Sequence, residues 1–128
     1  SAKIKELTGG MGANVVYDPV GNSYSEPCIR ATAWDGRYLV IGFAAGEIPK
    51  IPINLALLKG MKIVGVFWGA WVGMNPEENK KNFEELFKLH SEGKINPEVS
   101  DSFSLDDGAK AIAHLKDRKA KGKVIIKM

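Results

Sequence analysis

Three short segments that contain glycine follow three apolar runs of the sequence. They span residues 18–21, 42–46 and 67–70. Glycine lets a ligand approach the backbone closely, and exposed N–H and C=O groups at such places can bind an amide or a phosphate. Glycine also makes tight turns after strands, and that explanation suffices for any one segment alone. The three segments together favour a ligand-binding edge.

A fourth glycine cluster, at residues 9–12, has the composition of a phosphate-binding loop but not its position. A dinucleotide-binding fingerprint follows a strand and opens a helix. This cluster instead closes a helix-like stretch at residues 4–7 and precedes an apolar run. We therefore interpret it as a helix C-cap and turn. The chain contains neither a G-x-G-x-x-G nor a Walker sequence.

Acid–base candidates are few. Asp18 ends an apolar run, where its carboxylate is placed to orient a backbone loop or a ligand hydroxyl, and a structural hydrogen bond is the favoured interpretation. Tyr17 and Tyr38 fall inside apolar runs and are predicted to be packing residues. His90 lies on the apolar face of a predicted helix and is predicted to be a satisfied core residue. No Ser/His/Asp or Cys/His set can be assembled from the chain.

Metal-binding residues are also few. The single cysteine, Cys28, and the two histidines, His90 and His114, lack the spacing of metal ligands. We therefore expect no structural or catalytic zinc in this chain. Cys28 lies among apolar residues of a predicted helix, and we interpret it as a small buried hydrophobic residue.

Composition narrows the functional classes. The 128 residues make about one domain, and 45% hydrophobic and 26% charged residues are typical of a soluble globular protein. No apolar run reaches the roughly 18 residues of a membrane helix, and the start of the chain has no signal-peptide pattern, so we expect a cytoplasmic location. The net charge of +3 comes from basic residues near the end. Acidic residues interrupt them and no aromatic residue lies among them, so no nucleic-acid partner is expected.

Three apolar runs, at residues 14–18, 37–43 and 62–68, are predicted strands. They are rich in β-branched and aromatic residues and do not alternate with polar ones, which is typical of strands buried on both faces of a parallel sheet. The connections of about twenty residues are long enough for helical crossovers. Right-handed crossovers would place the three strands side by side.

Helices are predicted between and after these strands, and a short strand is predicted at the end. The approximate bounds are 23–34, 55–59, 75–92 and 104 onwards for helices, and 123–126 for the strand. Ser23 and Glu26 have capping-box spacing at the start of the first helix. The two later helices carry apolar stripes, formed by Phe83, Leu86, Phe87 and His90 and by Leu105, Ala109, Ile112 and Leu115.

This order of elements predicts an α/β fold with a parallel sheet. In open sheets of this class, ligands bind beyond the carboxyl ends of the strands. The three glycine-containing segments lie at those ends. The helix-like stretch at residues 4–7 looks like the end of an element that begins before Ser1.

The combination of residues 8–21, 36–46, 51–54 and 118–125 resembles the quinone oxidoreductase family of zinc-free medium-chain dehydrogenase/reductases. Residues 8–21 resemble the segment leading into the fourth strand of that family's nucleotide-binding domain. Residues 36–46, followed by 51–54, resemble its fifth strand and the loop after it. Arg118, Ala120 and residues 122–125 resemble its closing segment. The resemblance covers essentially all 128 residues.

The resemblance implies a Rossmann domain with strand order 3-2-1-4-5-6, a doubly wound parallel sheet of which this chain holds strands 4-5-6, followed by C-terminal helices and a final strand. It implies the half of the site that contacts the nicotinamide of NADPH, with NADH as an alternative, and a chemistry without zinc. The reaction would be hydride transfer to a quinone or an enone. The implied cofactor-binding residues are Val20, Gly42, Phe43, Ala44, Ala45, Phe67, Trp68 and Gly69.

Residues 1–128 would then be a partial nucleotide-binding domain, without the GroES-like catalytic domain and the first half of the Rossmann domain. Asn22 stands where relatives commonly have a second glycine. We expect the isolated chain to bind NADPH weakly or not at all and to be inactive. We also expect an exposed apolar edge on its first strand to favour a homo-oligomer. Two alternatives stay open. One is a free-standing α/β binding or interaction module that uses the basic C-terminal surface, and the other is a fragment of an enoyl reductase or a vesicle-associated relative of the same superfamily.

Overall fold

The computed structural model describes residues 1–128, which form two compact units, Ser1–Met74 and Asn75–Met128. The first unit contains α1 (Ala2–Leu7), β1 (Ala13–Asp18), α2 (Ser25–Ala31), β2 (Thr32–Val40), α3 (Asn54–Lys59), β3 (Lys62–Gly65) and α4 (Trp68–Met74). The second contains α5 (Pro76–Ser91), β4 (Val99–Ser104), α6 (Gly108–Lys116) and β5 (Lys123–Lys127). Short 3-10 turns at Asn22–Tyr24 and Leu105–Asp107 precede α2 and α6.

The first unit is built on a three-stranded parallel sheet in the order β1-β2-β3. Asp18 pairs with Val40, and Val40 pairs with Gly65, so the last residues of all three strands lie level at one edge. The predicted α/β fold and the side-by-side arrangement of the first three strands are therefore confirmed. The turn predicted at the glycine cluster after α1 is also confirmed, because Gly9, Gly10 and Gly12 all have positive φ.

The junction between α2 and β2 differs from the prediction. The helix was expected to run to about Trp34, but α2 ends at Ala31 and β2 begins at Thr32. The Thr32 hydroxyl donates to the carbonyl of Cys28 at 3.0 Å, and its backbone is extended (φ −66°, ψ 141°), so the helix stops there. No side chain caps the start of α2, so the predicted capping box does not form.

The sheet of the first unit is covered on one face. Its core consists of Ile29 from α2, Tyr38 from β2, Leu55 from α3 and Met61, with Val16 and Val40 partly buried against them. Residues on the opposite face are exposed, including Val15, Tyr17 (66% exposed) and Val64. The prediction that these strands are buried on both faces is therefore wrong for this chain, because the helices that contribute to the core lie on one face only. The prediction that Tyr17 is a packing residue is wrong for the same reason.

Two strands end earlier than predicted. β2 ends at Val40 rather than Phe43, and β3 ends at Gly65 rather than Trp68. After β2 the chain turns, because the amides of Ile41 and Gly42 both donate to the carbonyl of Asp18. Trp68 instead begins α4, a helix that contains two glycines and gives no helical signal in the sequence.

In the second unit, α5 begins at Pro76 directly after Asn75, as predicted, and ends at Ser91. Its apolar stripe is exposed, and the Phe83 and Phe87 rings lie 6.2 Å apart. His90 is exposed, with Nδ1 3.1 Å from the carbonyl oxygen of Ile95. The prediction of a core histidine is therefore wrong, although the side chain has a hydrogen-bond partner.

Strand β4 was not predicted. It pairs in parallel with β5, so that Phe103 lies opposite Ile126. Helix α6 begins at Gly108, after a 3-10 turn, rather than at Ser104. Ala111 is the buried residue of α6, and the predicted stripe is exposed at Leu105, Ile112 and Leu115. One side chain of α6 that contacts β4 is His114, whose ring lies 5.7 Å from that of Phe103.

None of the helices combines the length and the apolar character needed to cross a membrane. The cytoplasmic location stays a prediction.

Candidate functional site

The three level strand ends define a single edge of the first unit. We call it the strand-end edge and define it by a first loop (residues 19–22), a second loop (residues 41–46) and a third segment (residues 66–69). The sheet register brings Asp18, Val40 and Gly65 side by side immediately before these segments. The eight residues predicted to contact a cofactor are distributed over these three segments.

The first and second loops are joined by backbone hydrogen bonds. The carbonyl of Pro19 accepts from the amide of Ala44 at 3.0 Å, and the carbonyl of Val20 accepts from Ala45 at 3.0 Å. The amide of Gly46 closes the second loop by donating to the carbonyl of Phe43 at 2.8 Å. The structure therefore brings Val20 together with the predicted residues of the second loop, Gly42 to Ala45.

Gly21 makes the close approach of the two loops feasible. Its φ of 72° and ψ of −149° lie in a region that residues with a side chain rarely adopt. A Cβ added here would lie 2.8 Å from Cδ1 of Phe43. The Phe43 ring thus packs directly against the backbone of the first loop. Gly21 is absent from the predicted cofactor residues, although the glycine-containing segment was recognised.

The carboxylate of Asp18 accepts hydrogen bonds from the backbone of the first loop. Oδ1 accepts from the amide of Val20 at 2.8 Å and from that of Gly21 at 2.9 Å. Oδ2 accepts from the hydroxyl of Ser25 at 3.0 Å and from the hydroxyl of Tyr38. The side chain is buried, and each oxygen has two donors. The favoured interpretation of Asp18 as a structural hydrogen-bonding residue that orients a loop is confirmed.

The ionisation of Asp18 and Tyr38 follows from this arrangement. Burial alone raises the pKa of Asp18, but the hydrogen bonds from Tyr38, Gly21, Val20 and Ser25 outweigh it, so the pKa lies below its ordinary value of 3.8. Burial, followed by the hydrogen bond to Asp18, raises the pKa of Tyr38 to about 12. At neutral pH the carboxylate is therefore charged and the Tyr38 hydroxyl remains a donor.

The third segment reaches the same edge by a different route. The amide of Val66 donates to the carbonyl of Val40 at 2.9 Å, which attaches the start of the segment to β2. No hydrogen bond joins residues 67–69 to the first or second loop. Phe67 is 80% exposed and Trp68 is 56% exposed. The structure thus places Phe67, Trp68 and Gly69 at the predicted edge but does not bind their side chains into it.

Two clefts adjoin the edge. An apolar cleft of about 230 Å³ lies behind Phe43, and its walls include Tyr38, Val40 and Ile51. A larger cleft of about 450 Å³ is lined by both acidic and basic side chains, among them Glu26 and Arg30. Arg30 is paired with Glu26 at 2.6 Å, whereas Lys50, which also lines this cleft, is in no ion pair.

The chemistry of the edge fits the nicotinamide end of a dinucleotide. None of the eight predicted residues carries a charge. Small residues of the second loop leave backbone accessible, and aromatic rings of Phe43, Phe67 and Trp68 offer apolar surface to a planar ring. The pyrophosphate of a dinucleotide would need a glycine-rich helix N-terminus after a strand, and this chain has no such sequence.

Metal-binding groups are not clustered. No group of three or more His, Cys, Asp or Glu side chains is arranged to hold a metal ion. Cys28 is half-buried and packs against the core of the first unit. Burial raises the pKa of its thiol, which disfavours the thiolate that binds metals.

Comparison with known families identifies the chain's relatives. A family model described as zinc-binding dehydrogenase matches residues 1–126. The chain belongs to this family. A quinone oxidoreductase-like protein 2 homolog of Nematostella vectensis is 39% identical over 125 residues, covering 97% of this chain and 34% of the relative. The predicted resemblance to the quinone oxidoreductase family is therefore confirmed. The chain spans about a third of the length of the curated relatives it matches.

Solved structures of this dehydrogenase family share the fold. A quinone oxidoreductase of Pseudomonas syringae is 25% identical, with a TM-score of 0.83 over 98% of this chain and 38% of the other. A mycobacterial protein solved in complex with NADPH is also 25% identical, with a TM-score of 0.83 over 98% of this chain and 39% of the other. The predicted Rossmann-type fold class is therefore confirmed.

Sequence reasoning missed Ser25 and Tyr38 as partners of Asp18. Ser25 lies seven residues after Asp18 and Tyr38 lies twenty residues after it. One signal was available once β1 and β2 were taken as paired, because Tyr38 lies opposite Val16 and therefore on the same face of the sheet as Asp18. The register itself, however, is not encoded in any local pattern.

Proposed function

We propose that the strand-end edge is the nicotinamide-facing part of the cofactor site in an NADPH-dependent oxidoreductase. The whole protein would transfer hydride to a quinone or another activated double bond. The observation that carries this proposal is the pair of loops hydrogen-bonded to each other at level strand ends. The position agrees with the general rule for ligands of open α/β sheets.

The proposed tasks of this chain are binding, orientation and exclusion of water. When bound, NADPH supplies the hydride from its reduced nicotinamide ring. Val20 and the second loop, Gly42, Phe43, Ala44 and Ala45, would border one side of the ring. Phe67, Trp68 and Gly69 would border the other side, where the exposed aromatic rings shield the reacting carbon from water.

The cofactor preference is part of the proposal. We propose NADPH, with NADH as the alternative, and no zinc held by this chain. The proposal that this chain holds no zinc is supported by the lack of any cluster of metal-ligating side chains among residues 1–128. Titrating the full-length protein with NADPH and with NADH by calorimetry tests the preference. Binding of NADH that is tighter than that of NADPH would reverse it.

The activity is tested with the full-length protein and a panel of quinones, enones and enoyl thioesters. Reduction of quinones or enones with NADPH is the expected result. Preferential reduction of enoyl thioesters would instead support the enoyl reductase alternative. Failure to reduce any member of the panel with either cofactor would overturn the proposed function.

The isolated chain is proposed to be inactive and to bind NADPH weakly, because it has no pyrophosphate-binding sequence. The reading frame before Ser1 is expected to encode a G-x-G-x-x-G roughly 60–80 residues upstream. A reading frame without that fingerprint would favour a free-standing α/β module. Micromolar binding of NADPH by residues 1–128 alone would contradict the proposed weakness.

A homo-oligomer is also proposed. β1 is an edge strand of the sheet, and apolar side chains beside it, such as Val15 and Tyr17, are exposed. Unpaired strand edges with exposed apolar neighbours favour association. Sedimentation velocity of residues 1–128, in which this edge is unpaired, is expected to give a species larger than a monomer, and a clean monomer would contradict the proposal.

A further inference from the structure

Asp18 connects the two loops of the strand-end edge through both its side chain and its backbone. Its carboxylate binds the amides of Val20 and Gly21 in the first loop. Its carbonyl accepts from the amides of Ile41 at 3.0 Å and Gly42 at 3.3 Å in the second loop. One residue therefore sets where both loops leave the sheet.

The backbone of Val20 links the Asp18 carboxylate to the second loop. Its amide is held by the Asp18 carboxylate at 2.8 Å, and its carbonyl holds the amide of Ala45 at 3.0 Å. Both polar groups of the Val20 backbone are thus occupied by protein partners. Val20 is therefore bonded both to the Asp18 carboxylate and to the second loop.

The carboxylate is itself held from the opposite side. The hydroxyls of Ser25 in α2 and Tyr38 in β2 both donate to Oδ2, so Asp18 is fixed against two elements of the core. A buried carboxylate with four donors forms stronger hydrogen bonds than an exposed one, because the surroundings screen the charge less. The arrangement is a rigid support placed directly beneath the proposed cofactor edge.

We propose that Asp18, held by Ser25 and Tyr38, is a positioning residue of the cofactor site. It does not contact the cofactor. It holds the first loop, and through Val20 the second, in the geometry that receives the nicotinamide, so that cofactor binding does not require the loops to be ordered first. This inference rests on the proposed function, and it goes further by assigning the cause of the preformed edge to a buried hydrogen-bond network.

A purely structural role for the same network predicts a different result. In that case, loss of the network lowers the stability of the fold, and cofactor affinity of the folded protein stays unchanged. A positioning role predicts that folded variants bind the cofactor more weakly while turnover at saturation changes less. The split between KM and kcat therefore separates the two roles.

Four variants of the full-length protein supply the test. Asp18→Ala removes every side-chain acceptor, whereas Asp18→Asn keeps one oxygen that can accept from Val20 and Gly21. Tyr38→Phe removes one donor to Oδ2 and leaves the loop contacts in place. Tyr17→Phe is the matched control, because it removes a hydroxyl from an exposed tyrosine one residue from Asp18 on the other face of the sheet.

The KM and Kd for NADPH are expected to rise about tenfold or more in Asp18→Ala, which corresponds to the loss of hydrogen bonds to a charged group. We expect a rise of roughly threefold in Asp18→Asn and Tyr38→Phe, and no change in Tyr17→Phe. Hydrogen exchange of the Val20, Gly21 and Ala45 amides, measured without cofactor, is expected to accelerate in the same order.

Each outcome decides the proposal. If Asp18→Ala does not fold, Asp18→Asn and Tyr38→Phe carry the test. If these folded variants keep wild-type KM, Kd and loop exchange and lose only thermal stability, the positioning role is overturned. If the wild-type protein binds neither NADPH nor NADH, the proposed function fails. Accelerated loop exchange in the variants would then show only that Asp18 holds the two loops, and the positioning role in a cofactor site would be overturned with the proposed function.

Discussion

The first and second loops differ from the third segment in what holds them at the strand-end edge. Four backbone hydrogen bonds from Ile41, Gly42, Ala44 and Ala45 tie the second loop to residues 18–20, and the Asp18 carboxylate holds the first loop. The third segment is attached at its start, by the bond from Val66 to Val40. A phenylalanine in each region shows the contrast, because Phe43 is 39% exposed and Phe67 is 80% exposed.

The two kinds of attachment give the two regions different roles in a binding edge: one sets its shape and the other supplies exposed surface. The two joined loops have a shape that the first unit itself specifies, because most of their backbone amides donate to acceptors within that unit. The third segment contributes aromatic surface whose contacts within the chain are few. We infer that changes in the joined loops alter the shape of the edge, whereas changes in the third segment alter only what the edge presents to a ligand.

The largest difference in the free energy of unfolding is expected between Gly21→Ala and Gly69→Ala. An alanine at residue 21 must adopt a φ of 72° and place its Cβ 2.8 Å from the Phe43 ring. The combined strain and overpacking should lower the free energy of unfolding by about 2–4 kcal/mol. Gly69 lies in the first turn of α4, and its added Cβ would be 3.7 Å from Phe67, an ordinary contact. Alanine there should leave stability within about 0.5 kcal/mol or raise it slightly.

Denaturant unfolding of the two variants of the full-length protein, with exchange of the loop amides as a local measure, checks this contrast. Gly46→Ala is a useful control, because φ is also positive there (93°) but no atom lies within 4 Å of the added Cβ. It isolates backbone strain from the clash with Phe43. Equal losses in Gly21→Ala and Gly69→Ala would remove the distinction between the two regions.

The sequence was informative where signals are local. Apolar runs at residues 14–18, 37–43 and 62–68 located the three strands, and the glycine-containing segments after them located the edge. The position of Asp18 at a strand end was enough to suggest a loop-orienting carboxylate. In each case the signal and the feature lie within a few residues of one another.

The sequence was uninformative where a feature depends on distant partners. β4 carries three serines, so it is not an obvious strand until β5 pairs with it some twenty residues later. The helix α2 ends early because Thr32 leaves helical geometry to enter the sheet. The bond between Tyr38 and Asp18 depends on the register of β1 and β2. Pairing of this kind follows from tertiary structure and not from local propensity.

A smaller difference in the free energy of unfolding is expected between Phe43→Ala and Phe67→Ala. The Phe43 ring packs against Gly21 and forms part of the apolar cleft, so its removal should lower the free energy of unfolding by about 1–2 kcal/mol. The largely exposed Phe67 ring should contribute less than about 0.5 kcal/mol. Denaturant titration of both variants under one set of conditions measures the difference. A larger loss in Phe67→Ala would mean that the third segment is held by contacts that this chain alone does not supply.

The smallest expected effect is confined to acid pH and tests whether the first loop is held by a charged group. The pKa of Asp18 in the folded state lies below its ordinary value of 3.8, because four hydrogen bonds favour the carboxylate. A group with a lowered folded pKa stabilises the fold above the unfolded pKa, and this contribution is lost as the pH falls through the folded pKa. The difference in unfolding free energy between wild type and Asp18→Asn should therefore be constant above about pH 5 and shrink below pH 3.8.

Denaturant titrations of both proteins between neutral pH and the acid limit of folding measure this difference. All other carboxylates titrate in both proteins, so the comparison isolates Asp18. A difference that does not depend on pH would mean that Asp18 acts through the shape of its side chain and not through its charge. The third segment offers no carboxylate of its own for such an experiment, since residues 66–69 are Val, Phe, Trp and Gly. Amide exchange can be compared between the first loop and the third segment as the pH falls. Faster exchange at acid pH in the first loop alone would show that a charged group holds only that part of the edge.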